Sequence, residues 1–377
     1  MKIPDTSLDR RKFLQYGLSS AALIGTAPLI NAFGQPGPGD PLAVYKRSIV
    51  IDTMAPEDGG EDAAESVAAG FTAAVVDVEG YPRDPVTFGA AMERWKQKFE
   101  APGSRFLKVL TGADIRKAKA ESKLGVILTS QDGAILGSGT YSSNSGNLVT
   151  LEKWFNQGLR VLQVTHSDRN ALGDSYMETT NAGLSVLGKA VVESMNKMRM
   201  AIDLSHCGDQ TTLDTLKLST RPCAITHAGC RALFNTARNK PDNMIRAVAE
   251  KGGFFGVFNM SAWLTSKDVA TIEDCVDHIE HAIKVAGIDH VGFGSDSAIA
   301  PRKDLAENTA GYIEYGKRTL GRPGSEVVPK HMMTPELYSV HRMERLAFAL
   351  SKRRRSDADI EKVLGGNFAR YFEEVCG

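Results

Sequence analysis

Two histidines stand one repeat apart in the stretch Ala201–Arg238, AIDLSHCGDQTTLDTLKLSTRPCAITHAGCRALFNTAR. The apolar runs Ala201–Leu204 and Cys223–Thr226 read as strands, each followed by a histidine, His206 and His227. The segment Asp209–Leu218 between them has a helical pattern, so the stretch is a βαβ unit. Histidine is a common metal ligand, and in a barrel the C-terminal strand ends converge on one mouth. Two imidazoles one repeat apart can therefore face one point. Arg238 follows on the next loop.

Further polar residues fall at strand ends. Gln131 and Asp132 follow a third strand, in Gly125–Gly133. His166 ends a fourth, in Leu162–Asn170, and Asp296 ends an eighth, in Val291–Asp296. Three histidines, carboxylates and an arginine at one mouth suggest metal-assisted hydrolysis. A metal polarises a carbonyl and makes hydroxide available near neutral pH. A carboxylate handles the proton, and a neutral imidazole can bind a developing oxyanion. An arginine suits bidentate capture of a substrate carboxylate. His278 and His281, three apart on a helix, read as surface residues. His290 precedes a strand, and His331 and His341 lie in polar surroundings. There is no phosphate-loop Lys-Ser/Thr, no G-x-S-x-G elbow and no H-E-x-x-H.

These positions need a scaffold, and the chain alternates strand and helix patterns throughout. Strands are expected at Ile49–Asp52, Phe71–Val78, Gly125–Thr129, Val161–Thr165, Ala201–Leu204, Cys223–Thr226, Phe254–Phe258 and His290–Gly294. Helical spacing covers Val86–Glu100, Ala113–Ser122, Asn147–Asn156, Ala182–Met198, Asp209–Leu218, Asp242–Lys251 and Ile272–Ala286. Pro335–Arg353 and Asp359–Val375 read as closing helices. Eight strands with alternating helices predict an α/β fold, a (β/α)8 TIM barrel of metal-dependent hydrolase type, with a doubly wound open sheet as the alternative. A polar excursion over 299–335 follows the eighth strand, where a barrel carries part of its rim. The 377 residues carry no net charge, which gives no electrostatic case for nucleic acid. The dense basic run Lys352–Arg355 reads as the solvated end of a helix. The five cysteines match no zinc ribbon or disulfide framework and are expected as buried thiols.

Residues 1–35 read as an export signal. Arg10-Arg11 precede Phe13-Leu14 and an apolar, small-residue run from Tyr16 to Ala32. This pattern resembles a twin-arginine signal, which implies the Tat export machinery, a periplasmic location and a bacterial origin. Gly34–Asp40 would link it to a single barrel domain spanning 36–377.

At the mouth residues the chain resembles the membrane (renal-type) dipeptidases, peptidase family M19. The resemblance rests on Ile202-Asp-Leu-Ser-His206, Thr226-His227, Cys230-Arg-Ala-Leu and Ala237–Asp242. Gly158–His166, His290–Asp296 and Gly365-Gly-Asn-Phe368 extend it. It implies a (β/α)8 barrel with a two-zinc site that cleaves dipeptides, often with a D-residue at the C-terminal position, and homodimerisation. By resemblance His206 and His227 hold one zinc, His166 binds the scissile carbonyl oxygen, Arg238 binds the substrate carboxylate, and Asp296 takes the proton of the attacking water. Two departures stand out. The family's first-strand His-x-Asp pair is replaced by Met54 and Pro56, with Glu57 and Asp58 close behind. The family's metal-bridging glutamate aligns with Gln131, or with Asp132 after one residue of slippage. The expectation is therefore one zinc per chain, with His206, His227 and one of Asp132, Gln131 or Asp296 as ligands. Two readings follow: an exported metallodipeptidase with a reduced site, or a dipeptidase-like barrel that does not cleave peptides and instead binds a peptide-like ligand or assists a periplasmic maturation pathway.

Overall fold

A computed structural model describes residues 39–57, 62–78, 80, 83–138, 145–310 and 331–377. The proposed signal, Asp58 and the part of the excursion over 311–330 lie outside the described residues. Among the described residues nine strands run β1 Ile51–Pro56, β2 Ala73–Asp77, β3 Phe106–Lys108, β4 Leu124–Ser130, β5 Leu159–Gln163, β6 Ala201–Asp203, β7 Ala224–Ala228, β8 Phe254–Val257 and β9 Val291–Phe293. Eight of them follow one another in the order β1-β2-β4-β5-β6-β7-β8-β9, all in parallel. The ninth, β3, lies off this path as an extra strand on β4. Its sequence, Phe-Leu-Lys, is too short to stand out from a loop.

The sheet is nearly closed into a (β/α)8 barrel, as the alternation predicts. Hydrogen bonds join its two ends: Thr53 Oγ1 donates to Phe293 O (3.1 Å), Asp296 N to Met54 O (2.9 Å) and Ser295 N to the Asp52 carboxylate (2.7 Å). Strands covered on both faces lose the polar–apolar alternation of an exposed sheet, which is why Ala73-Ala-Val-Val reads as continuous apolar sequence. The interior is narrow. A Cβ on Gly256 or Gly294 would sit 2.0 or 2.3 Å from Thr226 O, so only glycine lets β8 and the turn after β9 approach β7. At the N-terminal strand ends Ile51, Ala73, Ala201, Ala224 and Phe254 share a buried cluster with Phe368, Tyr371 and Phe372. The helix Asn367–Cys376 thus seals the end of the barrel opposite the mouth.

Local signals set the helix limits. Asp84 caps Pro85–Glu100 by accepting from Val86 N (2.7 Å) and Thr87 N (3.0 Å), and Pro85 opens the first turn. Phe88, Met92 and Trp95 of that helix are buried. Three helices differ from the spacing. The helix expected from Ala182 starts at Val186, because Gly183 is left-handed (φ 87°) and Ser185 caps Gly188 N. Pro335–Arg353 divides into a 3-10 turn, Pro335–Leu337, and a helix, Arg342–Lys352. The last helix starts at Asp357 and is interrupted by a π-turn over Lys362–Gly366, at the glycine pair. The short helices Pro41–Arg47 and Ala63–Ala68 have no strong periodic signal. Among the described residues no helix is long and apolar enough to cross a membrane.

Candidate metal centre

His206 and His227 follow β6 and lie in β7, and the structure brings their rings together at the mouth. Their Nε2 atoms are 2.9 Å apart. Asp296, just past β9, places Oδ2 4.0 Å from His227 Nε2, and ligand atoms of all three residues lie within 4.8 Å of one another. Asp296 has left-handed backbone (φ 57°), an uncommon conformation for a residue with a side chain, held by the bond from its N to Met54 O. His166, at the end of the fourth barrel strand, stacks on His206 with ring centroids 4.3 Å apart.

The nitrogen that faces the centre is fixed from below. Asp203, the last residue of β6, is fully buried and accepts from Ser205 N (3.0 Å), Ser205 Oγ (2.5 Å), Thr226 N (3.0 Å) and Thr226 Oγ1 (2.6 Å). Burial pushes its pKa up and the four donors oppose that. The Thr226 hydroxyl has one hydrogen, which goes to Asp203. Its oxygen must then accept at 2.8 Å from His227 Nδ1, which therefore carries the ring proton. His227 Nε2 is left with a lone pair aimed at the centre, as metal ligation requires.

The donor set fits one metal ion. Two nitrogens at a zinc bond length of about 2.0–2.1 Å and a tetrahedral angle stand roughly 3.3 Å apart, close to the observed spacing. Burial drives the pKa of His166, His206 and His227 well down, and Arg238 adds to this at each of them. All three are neutral at pH 7 and available as ligands or hydrogen-bond partners. Burial pushes the Asp296 carboxyl up to about 6.

The other predicted site residues are placed differently. Asp132 caps the turn Gly133–Leu136, accepting from Ala134 N (3.0 Å) and Asn170 Nδ2 (2.6 Å), and does not join the histidine cluster. Gln131 donates through Nε2 to Asp77 at 3.0 Å. Of the three candidates for third ligand, it is Asp296 that faces the imidazoles. Glu57 turns to the helix Pro85–Glu100, where Lys98 Nζ (2.7 Å) and Trp95 Nε1 (3.2 Å) hold it. Met54 is buried and, like Pro56, offers no hard ligand. A second cation site is not formed by these residues. Arg238 is fully buried; it donates to Ser205 O (2.8 Å) and His227 O (2.9 Å) and so clamps the two histidine-bearing segments, while its Nε has no partner.

His278 is a core residue rather than the surface residue its helix suggests. It accepts from Cys230 N (2.8 Å) and contacts Leu264 O (2.9 Å). His281 meets Asp242 (2.8 Å) and His290 meets Gly253 O (2.8 Å). The five cysteines are free thiols, four of them buried. The basic run is ion-paired: Arg353 with Glu273 and Asp277, Arg355 with Glu280. Asp203, Asp77 and Arg83 were not legible as site residues. A carboxylate inside an apolar strand is costly unless paired, and that is the signal that marks Asp203 and Asp77.

A parallel (β/α)8 barrel with two imidazoles and a carboxylate converging at its mouth defines a class, the barrels built to hold a metal at their C-terminal face. The particular family follows from comparison. The family model for membrane dipeptidases, peptidase family M19, matches residues 63–309, and the chain belongs to that family. A curated relative, dipeptidase tcpJ from Claviceps purpurea, is 26% identical over 261 residues, covering 68% of this chain and 54% of the relative. The chain thus spans about half the length of that relative. Among solved structures, an amidohydrolase from Pseudomonas aeruginosa superposes with TM-score 0.77 at 24% identity, covering 89% of this chain and 98% of that one. A metallo peptidase from Rhodobacter sphaeroides, liganded with a phosphinate mimic of the dipeptide L-Ala-D-Ala, gives 0.69 at 17%, covering 87% and 99%. Both share the fold.

Proposed function

We propose that this chain is an exported dipeptidase that works with one zinc ion at His206, His227 and Asp296. The observation that carries the reading is the pair of Nε2 atoms facing each other at 2.9 Å, with the Asp296 carboxylate beside them. When bound, zinc supplies Lewis acidity toward a carbonyl and lowers the pKa of water toward 7. The chain's own groups do the rest. Asp296 takes the proton of the water that attacks the scissile carbonyl carbon. His166, neutral and stacked on His206, donates a hydrogen bond to the oxyanion that forms. The N–H groups of Arg238 that no carbonyl engages, Nε among them, hold the substrate carboxylate. The preferred substrates are small dipeptides, including those with a C-terminal D-residue, as the phosphinate bound by the Rhodobacter sphaeroides structure suggests. The twin-arginine pattern at Arg10-Arg11 supports export to the periplasm.

The test is the metal content of the full chain, by elemental mass spectrometry after purification without added metal, followed by a dipeptide panel with and without D-residues. One zinc per chain and hydrolysis that His206→Ala abolishes are expected. A protein that takes up no metal even on titration refutes the reading. A second reading is favoured by Met54 and Pro56, which by the resemblance stand where the family carries its first-strand His-x-Asp metal pair. It is a barrel that binds a peptide-like ligand without cleaving it. Metal uptake with no hydrolysis across the panel would select it.

A further inference from the structure

The side of the mouth formed by β1, β2 and β4 holds a charged cluster of a different kind. Asp77 ends β2, in register with Pro56 of β1 and Thr129 of β4. Its side chain is 1% exposed and that of Arg83 is 7% exposed. Arg83 grips it with two parallel bonds, Nη1 to Oδ1 (3.3 Å) and Nη2 to Oδ2 (2.7 Å). Gln131 reaches the same two oxygens, N to Oδ1 (3.4 Å) and Nε2 to Oδ2 (3.0 Å). A carboxylate has about four lone-pair positions, and donors occupy all four. Asp77 therefore has none left for a metal. Gln131 retains one neutral acceptor, Oε1, buried without a partner, which alone does not make a site for a divalent ion. Met54 and Pro56 add nothing, and Glu57 is engaged elsewhere.

A guanidinium stays protonated at every working pH, so Arg83 holds the Asp77 carboxylate throughout the working range and no chelator removes it.

We propose that Arg83, clamped on Asp77, closes this side of the mouth to a second metal ion: as a positioning residue it keeps the Asp77 carboxylate and Gln131 out of any ligand set. The inference rests on His206, His227 and Asp296 holding the first ion. It makes the single-ion centre a constructed state rather than a damaged two-ion one, since the lost ligands are matched by a buried charge pair that fills their side of the mouth.

The test is a Co2+ titration of the full chain, read by visible absorption and by metal per chain after equilibrium dialysis, on wild type, Arg83→Lys and Arg83→Met. Wild type and R83K are expected to saturate at one ion. R83M frees the Asp77 carboxylate, so a second ion, or at least tenfold tighter binding of the first, is expected. Arg83→Gln, with the same expectation, serves where R83M does not fold. Two ions in wild type overturn the inference and leave the dipeptidase reading standing. Unchanged stoichiometry and affinity in the charge-removing variants overturn it as well. No ion in wild type overturns the dipeptidase reading itself, and this inference with it.

Discussion

Asp203→Asn changes one oxygen for an NH2 group below the centre and should weaken metal binding without touching a ligand. In the wild type, Oδ1 of Asp203 takes three donors, Ser205 N, Ser205 Oγ and Thr226 N, and Oδ2 takes the Thr226 hydroxyl. The amide oxygen of the variant belongs at the three-donor position. Its NH2 group then faces Thr226 Oγ1, which can no longer donate there and turns its hydrogen to His227 Nδ1 (2.8 Å), the nearer of its two remaining acceptors, with Ser205 Oγ at 3.1 Å. The ring proton moves to Nε2, and the nitrogen facing His206 becomes a donor. An outer partner of this kind is worth roughly 10–100-fold in metal affinity, or about 1.4–2.7 kcal/mol. Replacing a charged acceptor by a neutral one costs the fold roughly 1.5–3 kcal/mol. Zinc affinity by competition with a chromophoric chelator, together with thermal unfolding, separates the two effects. Thr226→Val breaks the same relay one step higher and should give a similar loss. A folded D203N protein with wild-type zinc affinity would refute the tautomer argument, and with it the role of Asp203.

Four further outcomes follow from the same geometry. His206→Ala should lose zinc and hydrolysis together, measured as metal per chain and turnover of a dipeptide. Arg238→Met leaves the carbonyls of Ser205 and His227 without donors; at about 1–3 kcal/mol for each buried unsatisfied group, urea unfolding should show a loss of roughly 2–6 kcal/mol, and an unchanged midpoint would contradict the clamp. His278→Ala should lower stability by a similar mechanism, since Cys230 N loses its acceptor, yet leave zinc affinity alone. The fourth outcome concerns pH. Burial raises the Asp296 pKa to about 6 in the folded, metal-free protein, from the ordinary carboxyl value of 3.8. A raised pKa means that the fold binds the proton more tightly than the unfolded chain does. The metal-free protein is therefore more stable below pH about 4, and the advantage is lost as pH rises through about 6, up to roughly 3 kcal/mol in all. Asp296→Asn removes this part of the pH dependence, which chemical denaturation across that window measures as the difference between the two proteins.

The sequence carries the barrel because its strands are buried on both faces and its helices are amphipathic. Those are local patterns, and they place His166, His206, His227 and Asp296 at strand ends without any knowledge of the path between them. Which strand ends approach each other is a matter of barrel closure, and closure is what separates Asp296 from Asp132. Asp296 follows β9, and the bonds from Ser295 N to Asp52 and from Asp296 N to Met54 O fasten that turn to β1. Asp132 lies two residues past the end of β4, where Asp296 lies three past the end of β9, and its side chain is drawn into capping the turn that follows. Counting residues from the end of a strand cannot tell a cap from a ligand, because both suit an aspartate.

The charged residues inside the strands tell more than the histidines do. Asp52, Asp77 and Asp203 each interrupt an apolar run, and each is almost fully buried. Their partners come from elsewhere in the chain: Arg342 Nε at 3.5 Å from Asp52, Arg83 on Asp77, Ser205 and Thr226 on Asp203. Three buried acids with three different solutions imply three different tasks. The Asp52–Arg342 pair ties β1 to the closing helix Arg342–Lys352. Asp203 is held by neutral donors and, through the Thr226 hydroxyl, orients the imidazole that must present a lone pair. Asp77 is neutralised by a guanidinium at the point where this chain lacks the family's ligands. A sequence shows that such acids must be paired, since an unpaired buried carboxylate is too costly to keep. It does not show with what, and here the choice of partner decides whether a carboxylate braces the fold, tunes a ligand or is kept from being one.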